Sequence, residues 1–274
     1  MNATTTALPR LASTGRVTQT RVILSEWTKL HSLRSTRWSV LAAVVLTIGL
    51  PAIFAAVTSS HWGSMSPHER ADRHPLDIAL AGVNLSQLAV GVLGVLVVTG
   101  EYATGMIRAT FTAVPKRLPV LWAKIAVFGA VIFVLMLPSV LIAFWVSQGI
   151  LSRHHILQIS LSAPGVARSV IGGAIYLMLF GIFCMALGAI VRNTAGGIAT
   201  FVAVFFVIPP LLNVFPTSWQ NAINPWIPNS AWRSIFQLTH SSHSLSPAGG
   251  LAVTLGYIAF AVALTAFLLV RRDT

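Results

Sequence analysis

Six stretches of this chain are apolar for long enough to cross a lipid bilayer. They cover approximately 38–59, 78–100, 119–148, 166–191, 197–215 and 249–270. A helix needs about 20 residues to span a hydrocarbon layer of about 30 Å. Lipid offers no partner for a free backbone N–H or C=O, so only helices and closed barrels cross it. Barrel strands alternate in polarity over segments of about ten residues, whereas these runs are longer and continuous, so helices are predicted. Composition agrees, with 9% charged residues where a soluble domain carries about 25%. Too few polar groups remain to cover a water-facing surface. The expected fold is all-α: a polytopic membrane protein with six transmembrane helices and an N-terminal amphipathic interface helix.

The expected organisation is a flexible tail over 1–16, the amphipathic helix over 17–36 and a six-span domain over 37–274. The tail has no apolar core followed by a small-residue cleavage site, so it does not read as a signal peptide. The third run is long enough to tilt or to emerge from the membrane. The fourth and fifth are separated only by Arg192 to Gly196, which predicts a tight hairpin. Two long loops, about 60–77 and 216–248, fall on one side. The second carries Trp219, Trp226 and Trp232. Tryptophan favours the headgroup layer, so this segment is expected to dip into the interface as short helices. Pro51 and Pro138 lie inside spans, where neighbouring helices can satisfy the freed carbonyls.

The formal net charge is +12. On a soluble protein that would point to nucleic acid. Here the basic residues flank apolar runs, where they set orientation and meet anionic lipid, and no nucleic-acid partner is expected. With the N-terminus inside, Arg70, Arg73, Arg153, Arg168 and Arg233 fall outside, and the other thirteen of the 18 Lys and Arg fall inside. This positive-inside bias predicts a multi-pass protein of the cell membrane with both termini in the cytoplasm.

Two cytoplasmic segments carry more than anchoring requires. From Arg21 to Leu33, Val22, Ile23, Trp27, Leu30 and Leu33 cover one arc of a helix, opposite Arg21, Ser25, Thr28, Lys29 and Ser32. Such a helix lies in the membrane interface. Glu26 sits at the edge of the apolar arc and calls for a cationic or hydrogen-bonding partner. After the second span, Met106, Ile107, Thr110, Phe111 and Val114 share one face of a short helix, expected over 104–114, which Pro115 ends. An apolar face on a loop helix suits a partner's groove, with Phe111 as the expected anchor.

These two segments resemble permease subunits of type-2 ABC transporters, in the form common in high-GC Gram-positive bacteria. The residues concerned are Ser25-Glu26-Trp27-Thr28-Lys29-Leu30 and Ser32-Leu33-Arg34-Ser35-Thr36, and in the loop Glu101, Thr104-Gly105, Arg108, Pro115, Arg117 and Lys124. The order of elements fits along nearly the whole chain. The resemblance implies a permease that works with a second, identical or different, permease subunit and is driven by cytoplasmic ATP-binding cassette subunits. It identifies the loop helix as the coupling helix, with Met106, Ile107, Arg108, Phe111 and Val114 in contact with the ATPase. It identifies the N-terminal helix as the connecting helix, with Glu26, Glu101 and Arg108 in a polar network between the two. It further implies export of an amphiphilic compound (a drug-like metabolite, lipid or peptide) by alternating access.

The chain has no GxxxxGK[ST] phosphate loop and no soluble stretch able to hold a nucleotide domain. It is therefore not expected to be an enzyme, and it needs no cofactor of its own; ATP and magnesium belong to the partner. No Asp, Glu, Lys or Arg reads as deep in a span, which counts against the alternative of a secondary transporter. A membrane-embedded sensor or scaffold remains the other alternative. Asn84 and Gln87 share a face of the second span. They read either as glue between helices or as part of a substrate path, and Gly91 and Gly94 permit close approach under both readings. His61, His68, His74, His154, His155, His240 and His243 cluster on the outer side with Glu69, Asp72 and Asp77, but their spacings match no metal site, and none is expected. Cys184, the single cysteine, sits within an apolar run and reads as a buried small hydrophobe.

Overall fold

A computed structural model describes residues 18–71, 73–113, 117–154, 156, 158–238 and 244–271, and of the side chains at 108, 109, 111 and 113 nothing is described. The chain is an all-α, multi-pass membrane protein. Six helices are long and apolar enough to span a bilayer, and no strand occurs among the described residues.

A short helix, α1 (Gln19–Ser32), precedes the first span. Leu33, in extended conformation, separates it from α2 (Arg34–His61). The first span thus starts four residues earlier than the apolar run at Trp38, because Arg34 to Arg37 continue the helix beyond the apolar stretch. The loop after α2 holds the small helix α3 (Pro67–Ala71). Ser66 and Glu69 cap it reciprocally: the Ser66 N–H donates to Glu69 Oε2 at 2.7 Å and the Glu69 N–H to Ser66 Oγ at 3.3 Å, the arrangement of a capping box. The second span is α4 (Pro75–Ala103), followed by the loop helix α5 (Met106–Ala113). The third, α6 (Arg117–Arg153), has 37 residues, about 55 Å at 1.5 Å per residue. It therefore outreaches the hydrocarbon layer.

The fourth span, α7 (Val166–Val191), keeps the limits of its apolar run. The hairpin after it is tighter than its sequence suggests. Arg192 takes a left-handed conformation (φ 58°), and Asn193 caps the next helix by accepting from the Gly196 N–H at 2.9 Å. Helix α8 (Thr194–Val202) then starts at once. The fifth span continues through a π-helical turn, Ala203–Val207, into α9 (Ile208–Leu212). Pro209 and Pro210 offer no N–H to the preceding turn. Beyond it come α10 (Thr217–Ile223), a 3₁₀ turn (Asn224–Trp226), α11 (Pro228–Arg233) and the last span, α12 (Pro247–Arg271).

Helix α7 occupies the centre of the bundle, with 72% of its most apolar stretch buried, whereas the fifth span has 17%. Large apolar side chains such as Trp38, Val134, Trp145 and Phe260 point outward, as lipid-facing residues do. The seam between α4 and α7 depends on small residues: a Cβ on Gly94 would stand 2.4 Å from the Gly181 carbonyl oxygen. Close backbone contact of this kind holds helices together where lipid removes the hydrophobic drive. Cys184 is fully buried in this core.

The three tryptophans of the long loop part company. Trp219 and Trp226 are exposed, but Trp232 is fully buried. Its ring meets Phe205 at 4.9 Å, Phe183 at 5.2 Å and Phe180 at 5.9 Å between centroids. Part of this segment is therefore core. The aromatic neighbours come from the fourth and fifth spans, and no spacing within the loop could announce them.

Candidate functional site

One end of the bundle gathers α1, α5, the start of α6 and the end of α4. The amide of Gln19 donates to the Pro119 carbonyl at 3.0 Å, and Thr194 to Thr99 at 2.8 Å. Arg117 reaches the Leu269 carbonyl at 2.7 Å. Helix α1 does not turn its whole apolar arc inward. Val22, Glu26 and Leu30 are buried, one helical turn apart, with Val22 against Val120 and Ala123 of α6. Ile23, Leu24 and Trp27 stay exposed, as suits an interface helix with a second face toward lipid.

Glu26, on the inward line, finds two cations. Lys124 Nζ lies 2.5 Å from Glu26 Oε2 and 2.9 Å from Glu101 Oε1, and Lys29 Nζ lies 2.7 Å from Glu26 Oε1 and 3.1 Å from Glu101 Oε1. The side chains of Glu26, Glu101 and Lys124 are no more than 6% exposed, and that of Lys29 is 22%. The cluster is formally neutral, although Glu101 Oε2 is buried without a hydrogen-bond partner. Buried ions without such pairing carry a penalty of several kcal/mol each. Burial opposes the charge on Lys29, but hydrogen bonding and attraction from Glu26 and Glu101 outweigh it and hold its pKa above the ordinary lysine value. Lys29 also donates to Thr110 Oγ1 of α5 at 3.2 Å. Four elements thus meet at one knot.

The expected network of Glu26, Glu101 and Arg108 is met in its two carboxylates. The Arg108 side chain lies outside the description, and Lys29 and Lys124 take the cationic places. In the sequence those lysines count toward the positive-inside bias and among the residues that carry the family resemblance, but not as members of this network. Their distance along the chain from Glu26 and Glu101 hides the pairing, apart from the i,i+3 spacing of Glu26 and Lys29. Lys124 lies inside α6, near the end that overshoots the bilayer rather than deep in the span.

The face expected on α5 is corrected in part. Ile107 is 6% exposed and Met106 41%, so Ile107 packs inside this chain while Met106 is open. The Phe111 side chain and Val114 lie outside the described residues.

At the far end, Asn84 and Gln87 both line a cleft of about 640 Å³. Its other walls are Leu85 of α4, Phe205 and Phe206 of the π turn, Pro209 and Pro210 of α9, Asn213, and Asn224, Asn229, Ser230 and Arg233 of the outer segment. Gln87 also does the bonding expected of a helix glue: its Nε2 donates to the Asn84 carbonyl at 2.7 Å, and its Oε1 accepts from the buried Tyr176 hydroxyl of α7. One residue thus both bonds across helices and lines the cleft. The five-residue π turn supplies two of the cleft's aromatic walls, and such turns recur at functional sites. Among the described residues no group of three or more His, Cys, Asp or Glu stands where it could hold a metal. Asp72, His155, His240 and His243 lie outside them.

No family model matches the chain, and no curated protein matches it. What stands on its own geometry is a six-span helical membrane protein with an ion-paired knot at one end and a polar-walled cleft at the other.

Proposed function

We propose that this chain is the permease subunit of an ATP-driven transporter of the type-2 ABC class, set in the cell membrane with both termini in the cytoplasm. The observation that carries this reading is the knot of Glu26, Lys29, Glu101 and Lys124. It joins an interface helix to the ends of two spans through short ion pairs and takes hold of the loop helix through the Lys29–Thr110 hydrogen bond, so that a force on α5 is passed to α4 and α6. That is the linkage expected where a cytoplasmic ATPase drives a membrane bundle. The excess of Lys and Arg at the same end supports a cytoplasmic placement. ATP and magnesium bind the partner ATP-binding cassette subunit, and a second permease copy or homologue completes the pore. Alternating access then exports an amphiphilic compound past Asn84 and Gln87.

The test begins with the chain alone, which should hydrolyse no ATP. Tagged chain extracted from its native membrane should bring down a subunit carrying a GxxxxGK[ST] loop, and the pair should hydrolyse ATP. Met106 is exposed on α5, and Met106→Asp would bury an unpaired charge in the contact, lowering affinity by tenfold or more, since about 1.4 kcal/mol suffices for each factor of ten. Hydrolysis by the chain alone, or a Met106→Asp complex of normal yield and activity, would overturn the reading.

A further inference from the structure

We propose that the cleft at the far end binds an amphiphile with an anionic head, and that Arg233 is the residue that recognises the charge. This rests on the transport reading of the same cleft and names the class of its cargo. The cleft of about 640 Å³ lies within the size range of small-molecule sites, about 300–1,000 Å³. Its walls divide by chemistry. Leu85, Phe205, Phe206, Pro209 and Pro210 form an apolar side. Asn224, Asn229, Ser230 and Arg233 form a polar side, and the same four residues line an adjoining recess of about 350 Å³ that reaches Gln237 and Ser244. No acidic residue lines either space among the described residues.

Among the described residues Arg233 therefore has no counter-charge. Its Nε is buried and has no hydrogen-bond partner, and its side chain forms no ion pair among the described residues. The knot at the opposite end shows how this fold treats buried cations that serve structure: it pairs them. Arg168, close to Arg233 in the fold, is likewise spent, donating to the carbonyls of Ile235 and Gln237 at 3.4 and 3.2 Å. A guanidinium presents a planar fork of donors that matches phosphate and carboxylate two bonds at a time. The amide and hydroxyl groups around it complete the shell of a tetrahedral or planar oxyanion, and the apolar wall accepts a chain attached to it. A zwitterionic or cationic head would leave either the fork or its own charge without a partner.

The test is equilibrium binding of radiolabelled dodecyl phosphate to the protein in phosphatidylcholine nanodiscs, corrected for empty discs. Wild type should bind dodecyl phosphate and dodecanoate at least about tenfold more tightly than dodecanol or dodecyltrimethylammonium, the scale of one charge-assisted pair of hydrogen bonds. Arg233→Gln should abolish that preference, and Arg233→Lys should restore part of it. Inorganic phosphate at equal concentration should not compete. Equal affinity of wild type for dodecyl phosphate and dodecanol overturns the proposal, whatever the variants do. Competition by inorganic phosphate overturns its amphiphilic half, marking a site for free anions. These measurements need no ATPase, so they can fail while the transport reading stands, and the co-purification can fail while the cleft still selects anions.

Discussion

At the end of the bundle that carries α1 and α5, two buried carboxylates, the buried ammonium of Lys124 and the partly buried one of Lys29 balance one another. At the opposite end one guanidinium stands among amides and hydroxyls with no countercharge among the described residues. The two ends also differ in how their short helices are attached. Helix α1 is tied on by charge, but α11 is pressed against α12 by contact. Gly250 of α12 is buried, and a Cβ there would stand 2.4 Å from the Ala231 carbonyl oxygen and closer still to Ser234. The difference teaches that one end balances its net charge within the chain, whereas the other has shape complete and charge open. Binding an external charged group costs least where the fold has left a countercharge waiting.

The largest effect should come from unbalancing the knot. Lys124→Leu leaves two buried carboxylates with one partial partner and should cost about 3–5 kcal/mol, read as a fall in the thermal unfolding midpoint in detergent. Adding Glu26→Gln removes one of the stranded charges and should recover much of the loss. A single variant as stable as wild type would erase the contrast between the ends. A smaller effect is expected from Gly250→Ala. The added methyl has to displace backbone, a cost of about 1–3 kcal/mol for overpacking. It should also weaken dodecyl phosphate binding, because α11 carries Arg233. Unchanged affinity would show that the cleft does not depend on that contact.

The smallest effect is set by pH. Lys29 titrates above the ordinary lysine value, so its contribution is fully present below about 10.4, the unfolded value, and is lost as pH rises through the folded one. A nitroxide at Thr28→Cys, in a Cys184→Ala background, should report α1 as docked below the ordinary lysine value and as increasingly mobile as pH rises past it. Lys29→Arg, which keeps its charge throughout this range, should delay the release. Identical release in that variant would remove Lys29 from the account.

The six spans were legible because each is a statement about local composition. The fourth could be read to the residue, since Gly165 and Arg192, both with left-handed backbone, bound it. The π turn was not legible: Ala203–Val207 has the composition of any apolar helix, and only the register of its hydrogen bonds sets it apart. Glu26 announced a partner by sitting on an apolar arc, but not which one. Lys124, 98 positions away, carried no sign of that pairing in the sequence. Ile107 was misread because periodicity shows that a face is apolar without showing whether the chain itself covers it. Arg233 gave no signal, since its isolation is a property of the folded neighbourhood.

The length of α6 has a mechanical corollary. Lys124, in the knot, and Gln148, whose side chain holds the Pro75 carbonyl and the Ile159 N–H at the far end, lie equally far on either side of Met136. Met136 is fully buried and meets Thr47 of α2. Each arm is about 18 Å at 1.5 Å per residue. Tilted ten degrees about that fulcrum, the helix carries one tip about 3 Å one way and the other about 3 Å back. A rigid tilt about Met136 would therefore displace the two ends by equal amounts in opposite directions.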